Sequence, residues 1–226
     1  MSLTAKDARP DATRPHAGRR AVISREDLIA AALTLVGPHR SVSTLSLREV
    51  ARAAGIAPNS FYRHFRDVDE LAVALINQAG EALRQIIGEA RTRAVAERSV
   101  VQSSIEAFME QLRGDQKHLH LLLREGTVGS DAFKDAVETQ LCYFEEELCN
   151  DLVRLAKERD TGIYRPEVVA RAITRLVFAM GATAMDQPEE KHPEIIDQLV
   201  TMVRMIILGT QTMAGSAGQI EKTFSR

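Results

Sequence analysis

The chain has little in it that could staple or anchor a fold. Its 226 residues include two cysteines, no tryptophan, three tyrosines and seven phenylalanines. Cys142 and Cys149 are seven apart in a stretch with helical periodicity. That separation is about two turns, or roughly 10 Å along a helix axis, too far for a disulfide. They read as small core residues of a reducing compartment. No apolar run reaches the roughly 18 residues of a membrane span, and the N-terminus lacks the charged-then-apolar order of a secretory signal. The expectation is a cytoplasmic protein with no membrane partner. No period-two run of β-branched residues occurs, which argues against sheet structure.

The signatures of catalysis are missing too. There is no GxSxG, no GxGxxG after a strand and no cysteine cluster. His118 and His120 are two apart, so a helix points them to different sides and they make a poor metal pair. The acidic run "EEEL", Glu145 to Leu148, reads as a solvated face. No enzyme activity, metal or cofactor is expected.

What the chain does have is an uneven distribution of charge. Up to Arg66 there are eleven Lys/Arg against five Asp/Glu, a surplus of +6, and the remainder holds 18 against 26, or −8, which together make the net −2. A basic head on an acidic body suits a protein that meets a polyanion at one end. Three parts follow: a flexible basic arm over 1–20 carrying Arg14, Arg19 and Arg20, a head over 21–66, and a body over 67–226.

The head reads as three helices. "SRED" offers Ser24 as an N-cap with acids in the first turn, followed by Leu28, Ala31, Ala32 and Leu35 at helical spacing until Gly37-Pro38. "SLRE", Ser46 to Glu49, has the form of a capping box. Leu47, Val50, Ala51 and Ala54 form the apolar stripe after it, and Gly55 stands where a left-handed terminator is needed. Pro58 opens a third helix of about two turns that turns Phe61 and Phe65 inward and leaves Asn59, Ser60, Tyr62, Arg63 and His64 mostly outside.

"DVDE", Asp67 to Glu70, then opens a long helix carrying Leu71, Leu75, Ala79, Leu83, Ile86 and Ile87. Gly80 and Gly88 inside it point to a bend or close packing. Further helical patterns cover 99–113, 115–125, 131–159, 166–185 and 193–213. The expected fold is all-α: a three-helix head and a larger helical body.

Two short helices joined by a glycine turn, the second with one apolar and one donor-rich face, make a helix-turn-helix. Tyr62, Arg63 and His64 can donate to phosphates, and Asn59, Ser60 and Arg63 reach toward base edges of double-stranded DNA. Ser46, Arg48, Pro58, Arg19 and Arg20 complete the expected DNA-facing set. A hairpin with a merely solvated charged face is the alternative, and the local +6 weighs against it.

The run "TLSLREVARAAGIAPNSFYRHFRDVDELAVAL", Thr44 to Leu75, resembles the DNA-binding head of the TetR family of bacterial repressors. Within that family the head is similar to those of the fatty-acid biosynthesis repressors FabR and DesT. "LLLREG" at Leu121 to Gly126 and "AFKDAV" at Ala132 to Val137 resemble that subgroup's body. Ala57 stands where most of the wider family has a Ser or Thr cap, which weakens capping by about 1 kcal/mol.

The resemblance implies a homodimeric repressor on a palindromic operator, with a hydrophobic effector in each body, a long-chain fatty acyl-CoA. Candidate residues for an acyl tunnel are Phe108, Met109, Leu112, Leu122, Phe144, Leu148 and Phe178, with Arg124 or Lys134 for a CoA phosphate. The last two helices carry Ile173, Val177, Gly181 and Ala184, then Leu199, Val203 and Ile206. They can pair with their symmetry mates as a four-helix bundle or form core of the single chain. A regulator sensing another hydrophobic molecule, or an architectural DNA binder without a ligand, are the rival functions.

Overall fold

The computed structural model describes residues 23–37, 40–93, 100–113 and 118–224. The expected arm, with Arg19 and Arg20, lies outside the described residues. Helix α1 (Arg25–Leu35) begins in a full capping box. The Ser24 hydroxyl accepts from the Asp27 amide at 3.1 Å, and the Asp27 carboxylate accepts from the Ser24 amide at 2.8 Å. Donation by the Ser24 amide, and then by its hydroxyl, holds the Asp27 carboxyl below its usual range.

A 3₁₀ turn (Val42–Thr44) leads into α2 (Leu47–Ala53), and Ser46 and Glu49 close the second box. Gly55 has φ +69°, and the Gly55 and Ile56 amides bond back to Arg52 and Ala51 in a Schellman ending. The third helix, α3 (Pro58–Phe61), is shorter than its periodicity suggests: one α-turn, carried on by tighter turns to Phe65. Ala57 supplies no side-chain cap. Phe61 and Phe65 are buried with Leu28, Ala32 and Val50 in the head's share of a continuous core.

Helix α4 (Val68–Arg93) leaves the head and runs through the body. It starts with Asp67 accepting from the Glu70 amide while Glu70 accepts from the Arg66 amide. The body adds α5 (Val100–Arg113), α6 (His118–Val128), α7 (Asp131–Glu158), α8 (Pro166–Met185) and α9 (His192–Phe224), with a 3₁₀ turn at Glu189–Lys191. α4 packs on α5, α6 and α7, and α8 packs between α7 and α9. No strand occurs among the described residues, only an isolated bridge between Gly37 and Arg40.

The two glycines of α4 differ. Gly80 meets α7 so closely that a methyl there would collide with the Gln140 side chain, whereas a methyl at Gly88 would make only an ordinary contact with Arg91.

Several expectations need correction. The acidic run on α7 is not simply solvated. Glu145 is buried and bonded to Arg171 at 3.2 Å and Arg175 at 2.7 Å, while Glu147 pairs with Arg84 at 3.1 Å. Of the three acids only Glu146 is exposed. Cys142 is exposed and so is not a core residue, whereas Cys149 is half-buried and packs against the core; both are free. α8 is apolar and long enough to cross a membrane on composition alone. It lies instead inside the helical body, with Arg171 and Arg175 bound to α7.

The face of α8 and α9 expected to pair between chains is mostly core of this one. Ile173, Gly181, Ala184, Leu199 and Val203 are buried, and Val177 and Ile206 are half-buried. Both helices are apolar around more than one face, and periodicity locates an apolar stripe without saying which stripe the chain's own core takes. The exposed side of α9 carries Met202, Met205, Leu208 and Met213, with Met205 at 65% and Leu208 at 62% exposure.

Candidate nucleic-acid interface and effector cavity

Phe61 and Phe65 dock α3 with ring centroids 5.7 Å apart, and the Arg25 guanidinium lies 4.6 Å from the Phe65 centroid. With that face fixed, Pro58, Asn59, Tyr62 and Arg63 are exposed on the other, and Ser60 and His64 are half-buried. Ser46 and Arg48 are exposed at the start of α2. The Ser46 hydroxyl is already engaged in donating to Glu49 at 2.9 Å. Arg40 donates to the same carboxylate at 2.9 Å, and together these bonds draw the Glu49 carboxyl down to about 2.

Arg48, Arg52 and Arg63 are exposed and join no ion pair among the described residues. Three unneutralised guanidinium groups on one small head suit phosphate contact. Arg52, in the last turn of α2, escaped the sequence reading because it looks like any C-terminal helix cation.

The body encloses a cavity of about 860 Å³ between α4, α5, α7, α8, α9 and the connection after α7. Phe178 lies edge-on to Phe108 at 5.3 Å and to Phe144 at 5.2 Å, and these three rings with Leu148 form part of the wall. Three expected tunnel residues lie elsewhere. Met109 lines a separate polar groove between α5 and α9, and neither Leu112 nor Leu122 reaches the cavity. Leu122 is buried in α6, a helix that contributes nothing to the wall. Ile173, Val177 and Val203, expected between chains, line the cavity instead.

The expected phosphate partners are also displaced, since Arg124 and Lys134 do not line the cavity and Lys134 is exposed on α7. The cations at the cavity are Arg91, Arg154 and Arg159. Asp151 holds Arg91 at 2.8 Å and Arg154 at 3.0 Å, while Arg159 joins no ion pair among the described residues. On the sequence these arginines look like ordinary i,i+3 and i,i+4 surface partners, so no signal marked them. The connection bearing Arg159, Thr161 and Ile163 is pinned to α9. The Thr210 hydroxyl accepts from the Tyr164 amide at 2.9 Å and donates to the Tyr164 carbonyl at 2.6 Å. Asp160 and Arg165 take left-handed φ of 51° and 50° to make the bend.

A reading head followed by a hollow helical body is matched on both sides by known families. Residues 28–75 match bacterial regulatory proteins of the tetR family, and residues 97–206 match the tetracyclin repressor-like C-terminal domain. The chain belongs to the TetR family. It is a transcriptional regulator with a DNA-binding head and a ligand-binding body, and members of the family are regulators rather than enzymes.

Solved structures agree on the fold. A TetR-family transcriptional regulator from Streptomyces coelicolor is 22% identical, with a TM-score of 0.63 over 88% of this chain and 86% of that one. The multidrug binding protein EbrR, complexed with imidazole, is 20% identical, with a TM-score of 0.61 over 81% and 94%. The fatty acid degradation regulator FadR from Bacillus halodurans is 16% identical, with a TM-score of 0.61 over 82% and 94%. In TetR-family terms, α2 and α3 are the helix-turn-helix, and the cavity lies within the ligand-binding body.

Proposed function

We propose that this TetR-family regulator is a dimeric repressor of fatty-acid metabolism genes. Its affinity for a palindromic operator is set by a long-chain fatty acyl-CoA held with its chain in the body cavity. The observation that carries the reading is the cavity's two-part chemistry: a wall of Phe108, Phe144, Leu148 and Phe178 at one side, and Arg154 and Arg159 among its polar residues. An apolar chain suits the first, and a phosphate or other anion suits the second. Arg159 takes the role first given to Arg124 and Lys134.

Pro58, Asn59, Ser60, Tyr62, Arg63 and His64 enter the major groove, with Ser46 and Arg48 at the backbone. The Met205 and Leu208 side of α9 meets its symmetry mate. Exposed apolar side chains of that size, repeated along one helix face, mark a surface that is covered in the working protein.

A cis double bond kinks an acyl chain, so saturated and unsaturated thioesters fit differently. Only a ligand that binds the two conformers unequally moves the heads. Unsaturated thioesters are expected to tighten operator binding, by a coupling of about 1–3 kcal/mol.

The test measures affinity of the full chain for the DNA upstream of its own gene with oleoyl-CoA, palmitoyl-CoA and free CoA at equal concentrations below micelle formation. Indistinguishable affinities in all three would reject lipid sensing and leave the DNA-binding assignment standing. The second reading, a sensor of another hydrophobic molecule, then gains, since the aromatic wall of Phe108, Phe144 and Phe178 would equally take a ring system.

A further inference from the structure

Helix α4 is the covalent route from head to body, and a buried side chain adds a hydrogen-bonded one. Glu125, in the last turn of α6, has 0% exposure. One carboxylate oxygen accepts from the Val42 amide at 2.9 Å and the other from the Ser41 hydroxyl at 3.1 Å, across 84 residues of sequence. No cation pairs with it among the described residues. A carboxylate buried without a counter-charge is costly, so its two donors have to be supplied and held.

The turn it grips leads straight to the DNA-reading unit. Arg40, next to Ser41, donates to Glu49 at 2.9 Å, and Glu49 closes the capping box of α2 with Ser46. On the body side, Leu123 lies beside Gly181, against which the ring of the cavity-wall residue Phe108 is packed. The cavity-wall side and the head therefore meet the same helix, α6, two residues apart, at Leu123 and at Glu125.

We propose that Glu125 is a positioning residue that fixes the angle of the head against the body, and thereby sets the half-site spacing the regulator accepts. The proposal rests on the dimeric, palindrome-binding reading above. One inserted base pair moves a half-site by about 3.4 Å along the duplex and roughly 35° around it. Heads locked to their bodies cannot follow such a move, and unlocked heads can.

The experiment uses the full-length protein and a double-stranded fragment that the wild type selects from random-sequence DNA. Spacers one and two base pairs longer and shorter are compared by fluorescence anisotropy. Wild type should lose roughly ten-fold or more in affinity for each one-base-pair change, whereas Glu125→Ala should vary by no more than about three-fold across the series. Glu125→Gln should restore the sharp profile, because its amide oxygen accepts from Val42 and its amide nitrogen donates to the Ser41 oxygen. Preference for the half-site sequence itself should be the same in all three.

A Glu125→Ala profile as sharp as the wild type's overturns the proposal while leaving the regulator reading intact. Failure of the wild type to select any two-part fragment overturns both. If Glu125→Ala does not fold, Ser41→Ala, which removes one of the two donors, goes through the same series, and a sharp profile there is equally fatal.

Discussion

Replacing Phe61 with alanine should unfold the head and leave the body standing. The ring is fully buried, 5.7 Å from Phe65 and edge-on to Tyr62 at 6.0 Å. Truncating a buried Phe costs about 3–5 kcal/mol, from lost transfer energy and the cavity left behind. At roughly 0.05–0.15 kcal/mol per residue, a head of about 40 residues has only some 2–6 kcal/mol to lose. The two figures are of the same size, so the head should open locally while the body, which holds the larger share of the continuous core, stays together. Amide hydrogen exchange resolves this by region. Protection over residues 47–66 should collapse toward the unfolded rate, with that of α7 and α8 preserved, and specific DNA binding should vanish. Phe61→Leu, which keeps most of the apolar volume, should retain both. A Phe61→Ala protein whose head amides stay as protected as the wild type's would refute the placement of this ring as the head's keystone.

Met205→Glu or Leu208→Asp should give a folded monomer by sedimentation velocity with at least ten-fold weaker operator affinity, since one head alone buries too little surface. Leu199→Asp, on the buried side of the same helix, should unfold the body instead, and a wild-type monomer at micromolar concentration would sink the dimer face altogether. Acid should reach α2 late. The Glu49 carboxyl is drawn from 4.5 down to about 2, so its contribution to the first turn is fully present above 4.5 and is lost as pH falls through 2. An NMR titration of Glu49 should inflect near 2 and move up in Arg40→Ala, and an ordinary carboxylate midpoint in the wild type would contradict the Arg40 and Ser46 contacts.

The parts of this molecule that were legible in the sequence are those governed by neighbours in the chain. Ser24, Ser46, Gly55 and Pro58 each act within four residues of themselves, and each ends or begins a helix where its chemistry requires. Phe61 and Phe65 were assigned correctly inward by a four-residue spacing. What could not be read was the choice among competing partners. α8 and α9 offer apolar side chains on several sides, and the chain's own core took the side assigned to a partner. Glu145 looked like one of three equivalent acids until Arg171 and Arg175 came across from α8. Glu125 sits inside "LLLREG" with no local mark of its 84-residue reach to Ser41. Of the cavity, the rings were foreseeable as apolar bulk, but Arg159 depends on a bend whose left-handed positions are Asp160 and Arg165 rather than Gly162 between them.

Close contact between Gly80 and Gln140 also fixes how motion can be shared along α4. The Gln140 amide donates to Asn77 on one side and accepts from Arg84 on the other, so the crossing grips a full turn or more of the helix. At 1.5 Å per residue, Val68 lies about 18 Å from that crossing toward the head and Arg91 about 16 Å from it toward the cavity. A stiff rod gripped there is a balance with nearly equal arms. If the rod pivots there, an ångström of displacement at Arg91 would arrive at Val68 as about an ångström in the opposite sense, neither magnified nor diminished. Adding a side chain at position 80 would displace the Gln140 crossing along α4, lengthening one arm at the expense of the other, which makes this glycine the place where the ratio of the two arms is set.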